Sequence, residues 1–335
     1  MRADPQISVV IPTYQRCRSV ARVLEALARQ ALPHNAFEVI VSIDGSDDGT
    51  RDMVAQFGAP YALRALWQPN RGRAAACNAG IRTARGELIV LLDYDMEPAP
   101  GCLAGHLAAH PTGSRHAVVG AAPIRFDSAS PPIVEFMGMG FDWRLRKLCE
   151  PGHVMTFRET YTGNFSVSRS VVLEVGAFDE GFTAYGHEDY ELALRLERAG
   201  VRLTFSPEAL AHQHYEKSYA GLAQDAVARG RTAVFFAMKH PEVADRLKLA
   251  TYAQGSRKWR TVRSALLACS RLYWCTPDAV IRLVTWLERR RPRRLRRYYE
   301  LSLDYFFWLG VRSAAPGVTP GVGLSTSSAP ESRTL

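Results

Sequence analysis

No C-x-x-C pair occurs among the six cysteines (Cys17, Cys77, Cys102, Cys149, Cys269 and Cys275), which argues against a zinc ribbon and a dense disulfide scaffold. Reduced thiols and a cytoplasmic setting are the expectation. No run of about 18 apolar residues is present, so a conventional membrane span is not expected. The apolar stretch before Pro12 is too short for the core of a secretory signal. A G-x-x-x-x-G-K-[ST] loop is missing, and GMGFDW lacks the third glycine of a dinucleotide fingerprint, which removes the support for a P-loop enzyme or a Rossmann dehydrogenase. No internal repeat is visible.

What is present is 335 residues, 47% apolar and 22% charged, ample for a buried core. The formal net charge of +9 is unevenly placed: residues 1–250 hold 27 Lys and Arg against 28 Asp and Glu, whereas 251–335 hold 15 against 5. The basic excess therefore belongs to one end of the chain, and a nucleic-acid-coating surface over the whole molecule is not expected.

Ile7–Ile11 is a β-branched run closed by Pro12 and reads as a buried strand. Apolar residues at helical spacing over 18–31, a second run at Phe37–Ile43, a strand near 61–66, a helix near 72–84 and a strand at Glu87–Leu92 continue an alternation of strand and helix. That alternation predicts an α/β fold with a Rossmann-like, mostly parallel central sheet flanked by helices. Residues 115–160 read as irregular, and a further helix and strand follow at about 188–199 and 201–205. Domains are expected at 1–250 (catalytic), 251–312 (a basic amphipathic helical appendage) and 313–335 (a disordered, low-complexity tail).

Ligands of open parallel sheets gather beyond the carboxyl ends of the strands, where Asp44 and the pair Asp93/Asp95 both fall. Carboxylates two positions apart after a hydrophobic strand can hold one hard divalent cation and leave room for phosphate oxygens. A solvated acidic turn is the alternative reading of that pair alone.

The segments SVVIPTYQR (8–16), VSIDGSDDGT (41–50), NRGRAAACNAGIRTARGELIVLLDYDMEP (70–98) and TGNFSVSRS with GAFDEGFTAYGHEDYELALRL (162–196) settle the context. In that order and spacing they resemble a family 2 glycosyltransferase with the GT-A fold.

The resemblance implies a metal-dependent, inverting transferase. It would move a sugar from a nucleoside diphosphate sugar, of UDP or dTDP type, to a hydroxyl of a glycan or lipid-linked acceptor in cell-surface polysaccharide or glycoconjugate synthesis. Pro12, Thr13 and Tyr14 would lie against the base and ribose, and Asp44 would accept from the base N3–H. Asp93 would bind near the ribose or metal, and Asp95 would ligate Mn²⁺ or Mg²⁺. Asp189, in the pair with Glu188, would be the general base. His212 and His214, two apart after a strand, are further metal-ligand candidates. Asn78 and Asn164 are candidate donor contacts. Cys77 stands where many relatives carry arginine, so that role passes to Arg71 or Arg73 or is lost, and the loop at Asp44 leaves Asp47 as an alternative. Trp143 and Arg144 would either stack on a sugar or pack between helix and sheet.

Between 262 and 312 apolar clusters alternate with arginines and culminate in RRRPRRLRR at 289–297. Peripheral contact with the anionic inner face of the cytoplasmic membrane and packing onto the catalytic domain are equally compatible readings. The competing functional classes are a non-catalytic GT-A binding protein and a sugar nucleotidyltransferase.

Overall fold

In the computed structural model, residues 4–314 are described. They divide into two units, one ending at Ser218 and the other beginning at Tyr219.

The first unit alternates β1 (Ile7–Thr13), α1 (Cys17–Leu27), β2 (Phe37–Asp44), α2 (Thr50–Gln56), β3 (Ala62–Gln68), α3 (Arg73–Thr83) and β4 (Leu88–Leu92). There follow β5 (Met96–Pro98), α4 (Cys102–Ala108), β6 (His116–Gly120), α5 (Pro132–Leu148), β7 (Asn164–Ser168), α6 (Arg169–Glu174), α7 (Glu188–Arg198), β8 (Arg202–Ser206) and β9 (Ala211–Gln213). A seven-stranded sheet has the order β3-β2-β1-β4-β7-β6-β8. Strand β7 runs antiparallel to both its neighbours, and the other pairings are parallel. Every residue of β1, β2 and β4 is buried, as expected of central strands covered on both faces. The α/β architecture read from the sequence is the one observed.

Residues 115–160 differ from the irregular segment expected, since they contain β6 and the 17-residue α5. The two prolines explain the difference: Pro132 opens α5, where a missing N–H costs nothing. β5 and β9 form a separate antiparallel pair, with Glu97 opposite His212.

The second unit holds α8 (Tyr219–Lys239), α9 (Arg257–Leu272), α10 (Thr276–Arg290) and α11 (Leu295–Ala314). It begins well before the boundary expected at 250, because α8 packs along α11. A Cβ at Gly230 would stand 2.0 Å from the Phe307 carbonyl oxygen, and one at Gly310 would stand 2.0 Å from that of Val227. The segment carrying α8 has little of the basic excess, so charge alone did not mark it. Within this unit Arg263 is buried against the rings of Tyr252 and Trp308 and pairs with Asp304 at 2.9 Å. The tail expected from 313 lies outside the described residues, apart from Ser313 and Ala314, which belong to α11.

Candidate functional site

The site forms where the carboxyl ends of β1, β2 and β4 meet the first turns of α3 and α7. Asp44, the last residue of β2, is buried and accepts three hydrogen bonds, from Gln68 Nε2 (2.8 Å), the Arg71 amide (2.9 Å) and the Gly72 amide (2.8 Å). These bonds fix the 70–72 turn. Gly45 has φ +79°, and a Cβ there would meet the Asn70 amide nitrogen at 2.7 Å, so the turn can pack this closely only against glycine. In this structure Asp44 shapes the loop that delivers Arg73 to the first turn of α3.

Arg73 is the hub of the site. Its guanidinium donates to Asp93 Oδ1 (2.8 Å), lies 3.3 Å from Asp189 Oδ1 and 3.8 Å from Glu188 Oε1, and sits over the Phe178 ring. Asp93 follows β4, and Glu188 and Asp189 open α7, so three carboxylates from two segments share one cation. Burial and the charge of Asp189 push the Glu188 carboxyl up to about 7, against the opposing pull of Arg73. The Gly186 amide also donates to Glu188 Oε2 at 2.8 Å. Asp189 Oδ1 additionally accepts from the Thr162 hydroxyl. Both contacts fall on Oδ1, and Oδ2 has no hydrogen-bond partner among the described residues.

Asp95 is pushed up to about 6, first by burial and then by Asp93. Its Oδ2 accepts from Gln213 Nε2 at 3.0 Å. His214, by contrast, pairs through Nε2 with Glu97 at 2.6 Å. The His212 ring, whose pKa is lowered by burial, leaves Nδ1 without a partner. The β9 residue brought onto Asp95 is therefore Gln213, lying between the two histidines. Among the described residues no three His, Cys, Asp or Glu side chains converge as a ready metal cage.

Pro12 and Thr13 are buried at the end of β1, with Thr13 Oγ1 lacking a partner, and Tyr14 is half-exposed in the loop beyond. Asp47 accepts from the Gln15 side chain, and Asp48 accepts from the Cys17 amide. Two of the expected donor contacts have their side chains committed elsewhere. Asn78 is a clasp: its amide nitrogen donates to the Phe178 carbonyl (2.9 Å) and to Glu180 (3.0 Å), and its oxygen accepts from the Phe178 amide (2.9 Å). Asn164 is fully buried, donates to the carbonyls of Ala121 and Ala209, and accepts from His106 Nε2 at 2.8 Å. Cys77 is buried with its thiol pushed up to about 12, a packed residue. Arg144 is pinned to the Glu159 carbonyl, whereas Trp143 is 65% exposed and does not pack between helix and sheet. Thr162, Gln213 and Glu180 were not picked out by sequence. Thr162 lies in the same TGNFS segment as Asn164, which was its only signal.

Two family models match the chain. The model described as glycosyl transferase family 2 matches residues 8–159, and that of glycosyl transferase family group 2 matches 88–286. A validoxylamine A glucosyltransferase of Streptomyces hygroscopicus is 34% identical over 239 residues, 61% of this chain and 54% of that protein. A chondroitin synthase of Escherichia coli is 26% identical, over 62% of this chain and 34% of that protein. The chain thus spans about half the length, or less, of these curated relatives. A mannosyltransferase from Pyrobaculum calidifontis, solved with GDP-Man and Mn²⁺, shares the fold with a TM-score of 0.65 and 21% identity, covering 94% of this chain and 89% of that one. From its matched segments, its sheet and these likenesses, the chain belongs to glycosyl transferase family 2.

Proposed function

We propose that this chain transfers a sugar, with inversion, from a nucleoside diphosphate sugar to a hydroxyl of a glycan or lipid-linked acceptor. The convergence of Asp93, Glu188 and Asp189 on Arg73 at the strand ends carries the reading. It joins a donor-side carboxylate to a candidate base through a single guanidinium. A uridine or thymidine diphosphate sugar is the proposed donor and a cell-surface polysaccharide or glycoconjugate the proposed product. The names of the relatives, a glucosyltransferase and a chondroitin synthase, support sugar transfer.

Asp189 Oδ2 is the proton acceptor. As the acceptor oxygen attacks the anomeric carbon, its proton passes to Oδ2, and the carbon–oxygen bond to the diphosphate breaks with the electron pair leaving on the diphosphate. Thr162 and Arg73 hold Oδ1 and so fix the direction of the free oxygen. Glu188, raised to about 7, carries much of its population protonated at neutral pH, which spares Asp189 a second adjacent negative charge.

The residues fit a divalent cation. Asp95 is an oxygen donor whose ionised form is disfavoured by burial and by Asp93, and a cation relieves both penalties. Asp95 and Asp93 would hold Mn²⁺ or Mg²⁺, and of the two candidate histidines His212, next in sequence to the Gln213 that reaches Asp95, leaves Nδ1 without a partner while His214 pairs with Glu97. When bound, such an ion neutralises the charge that builds on the departing diphosphate.

A panel of UDP-, dTDP- and GDP-sugars incubated with the purified chain, acceptor extracts and Mn²⁺ tests the reading. Release of a nucleoside diphosphate from at least one donor is the expected result. Release of pyrophosphate, or neither binding nor turnover of any donor, overturns it.

A further inference from the structure

Helices α9 and α10 are joined by the short turn 273–275. At that turn Leu272 is 76%, Tyr273 62% and Trp274 86% exposed, three consecutive large side chains in water. Along α10 the buried side carries Val284. Ala279, Leu283, Trp286 and Arg290 recur at intervals of three and four and share one exposed stripe. The Arg290 guanidinium lies over the Trp286 ring at 5.2 Å, and the exposed Arg282 and Arg289 flank the stripe along one edge.

The charge around this surface is one-sided. Residues 257–297 contain 13 Lys and Arg against two acids, Asp278 and Glu288, and Glu288 already accepts from the Tyr299 hydroxyl at 2.7 Å. A second copy of the same surface would bring like charges together across a two-fold axis, which disfavours self-association through it. An anionic lipid surface meets both properties. Trp and Tyr settle at the headgroup boundary, Leu enters the acyl edge, and arginines pair with phosphates while their stems cover apolar surface. Among the described residues no helix is long and apolar enough to cross a membrane, so the contact is one of lying on the surface.

We propose that the α9–α10 hairpin is a membrane-docking surface that takes an anionic lipid bilayer, with Leu272, Tyr273, Trp274 and the Leu283–Trp286 stripe as its apolar contact. The full chain should sediment with vesicles of phosphatidylcholine plus phosphatidylglycerol, more weakly with phosphatidylcholine alone, and less as salt rises. The double variant Leu272→Ser/Trp274→Ser should lose about tenfold in vesicle partitioning, because two large apolar contacts are removed. Its thermal midpoint and its solution turnover of donor should stay as in the parent, since the replaced side chains are exposed. Absence of binding to anionic vesicles, equal binding to neutral ones, or unchanged binding by the double variant overturns the proposal. So does a concentration-dependent dimer that the double variant abolishes, since a second copy would then cover this surface. The vesicle, thermal and oligomer readouts stand whether or not the chain is a sugar transferase.

Discussion

Arg73 Nη1 stands 3.3 Å from Asp189 Oδ1, across 116 residues of sequence. The same guanidinium donates to Asp93 through Nη2 at 2.8 Å. The donor-side carboxylate and the candidate base are thus positioned by one side chain, whose own placement depends on the Asp44 hydrogen bonds to the 70–72 turn.

Replacing Arg73 by Ala should lower kcat on the order of a hundredfold, because Oδ2 of Asp189 then loses its fixed direction. The three carboxylates left without their shared cation should also destabilise the fold by about 3 kcal/mol or more. Arg73→Lys separates these effects. It keeps the charge and should restore most of the thermal midpoint, yet it recovers only part of kcat, since an ammonium cannot hold both aspartates in the same fork. Steady-state kinetics beside thermal unfolding check this. A lysine variant with parental kcat would remove the positioning role.

Asp189→Asn keeps the shape and the Thr162 contact but cannot take a proton. Donor affinity, measured calorimetrically, should change little, while transfer should fall by about a hundred- to ten-thousandfold. A variant that keeps transfer assigns the base to another group. Asp95→Ala should show the opposite split. Removing a carboxylate proposed to hold the cation should abolish Mn²⁺-dependent nucleotide binding, and chelation of the parent protein should have the same effect.

Strands β1, β2 and β4 were legible because each is buried along its whole length, and such strands write themselves as continuous β-branched and leucine runs. The acids at Asp93, Glu188 and Asp189 were legible because they sit just past strands or in a helix's first turn. Side-chain direction was not. The family resemblance nominated Asn78, and a place just before a strand nominated Asn164, but neither can tell that one amide clasps Phe178 and the other is spent on Ala121, Ala209 and His106. Likewise Thr162, two residues before Asn164, reaches Asp189 only because the chain turns at Gly163 into β7. Helix α5 was hidden by two glycines, Gly138 and Gly140, and by Pro131 and Pro132 close before them, where local propensity opposes the structure that packing enforces.

Asn78→Ala should act as a folding variant. The buried Phe178 amide loses its acceptor and Glu180 loses one donor, so about 1–3 kcal/mol of stability should disappear. Glu180 also holds Arg71 and Arg82 at 2.7 Å each, so the 178–180 segment should remain attached, and donor affinity should fall less than stability. A large loss of nucleotide binding at unchanged thermal midpoint would instead assign Asn78 to the donor.

The buried His106 and the half-buried His110 beside it set an acid limit on the fold. His106 is fully buried between Ser166 Oγ and Asn164 Oδ1, each at 2.8 Å, and His110 contacts the same Ser166 hydroxyl at 2.8 Å. Burial lowers both imidazoles from 6.5 to about 4. Their folded pKa values lie below the unfolded ones, so below pH 6.5 the unfolded chain binds more protons than the native one. The associated stability is fully present above pH 6.5 and is lost as pH falls towards 4. A shift of this size corresponds to about 3 kcal/mol for His106. His106→Gln cannot titrate, so it should be less stable than the parent at pH 7.5 yet lose less on acidification. Urea unfolding across about pH 7.5 to 4.5 measures the difference between the two proteins, which cancels the carboxylates they share. Parallel curves would show that the His106 imidazole does not govern the acid transition.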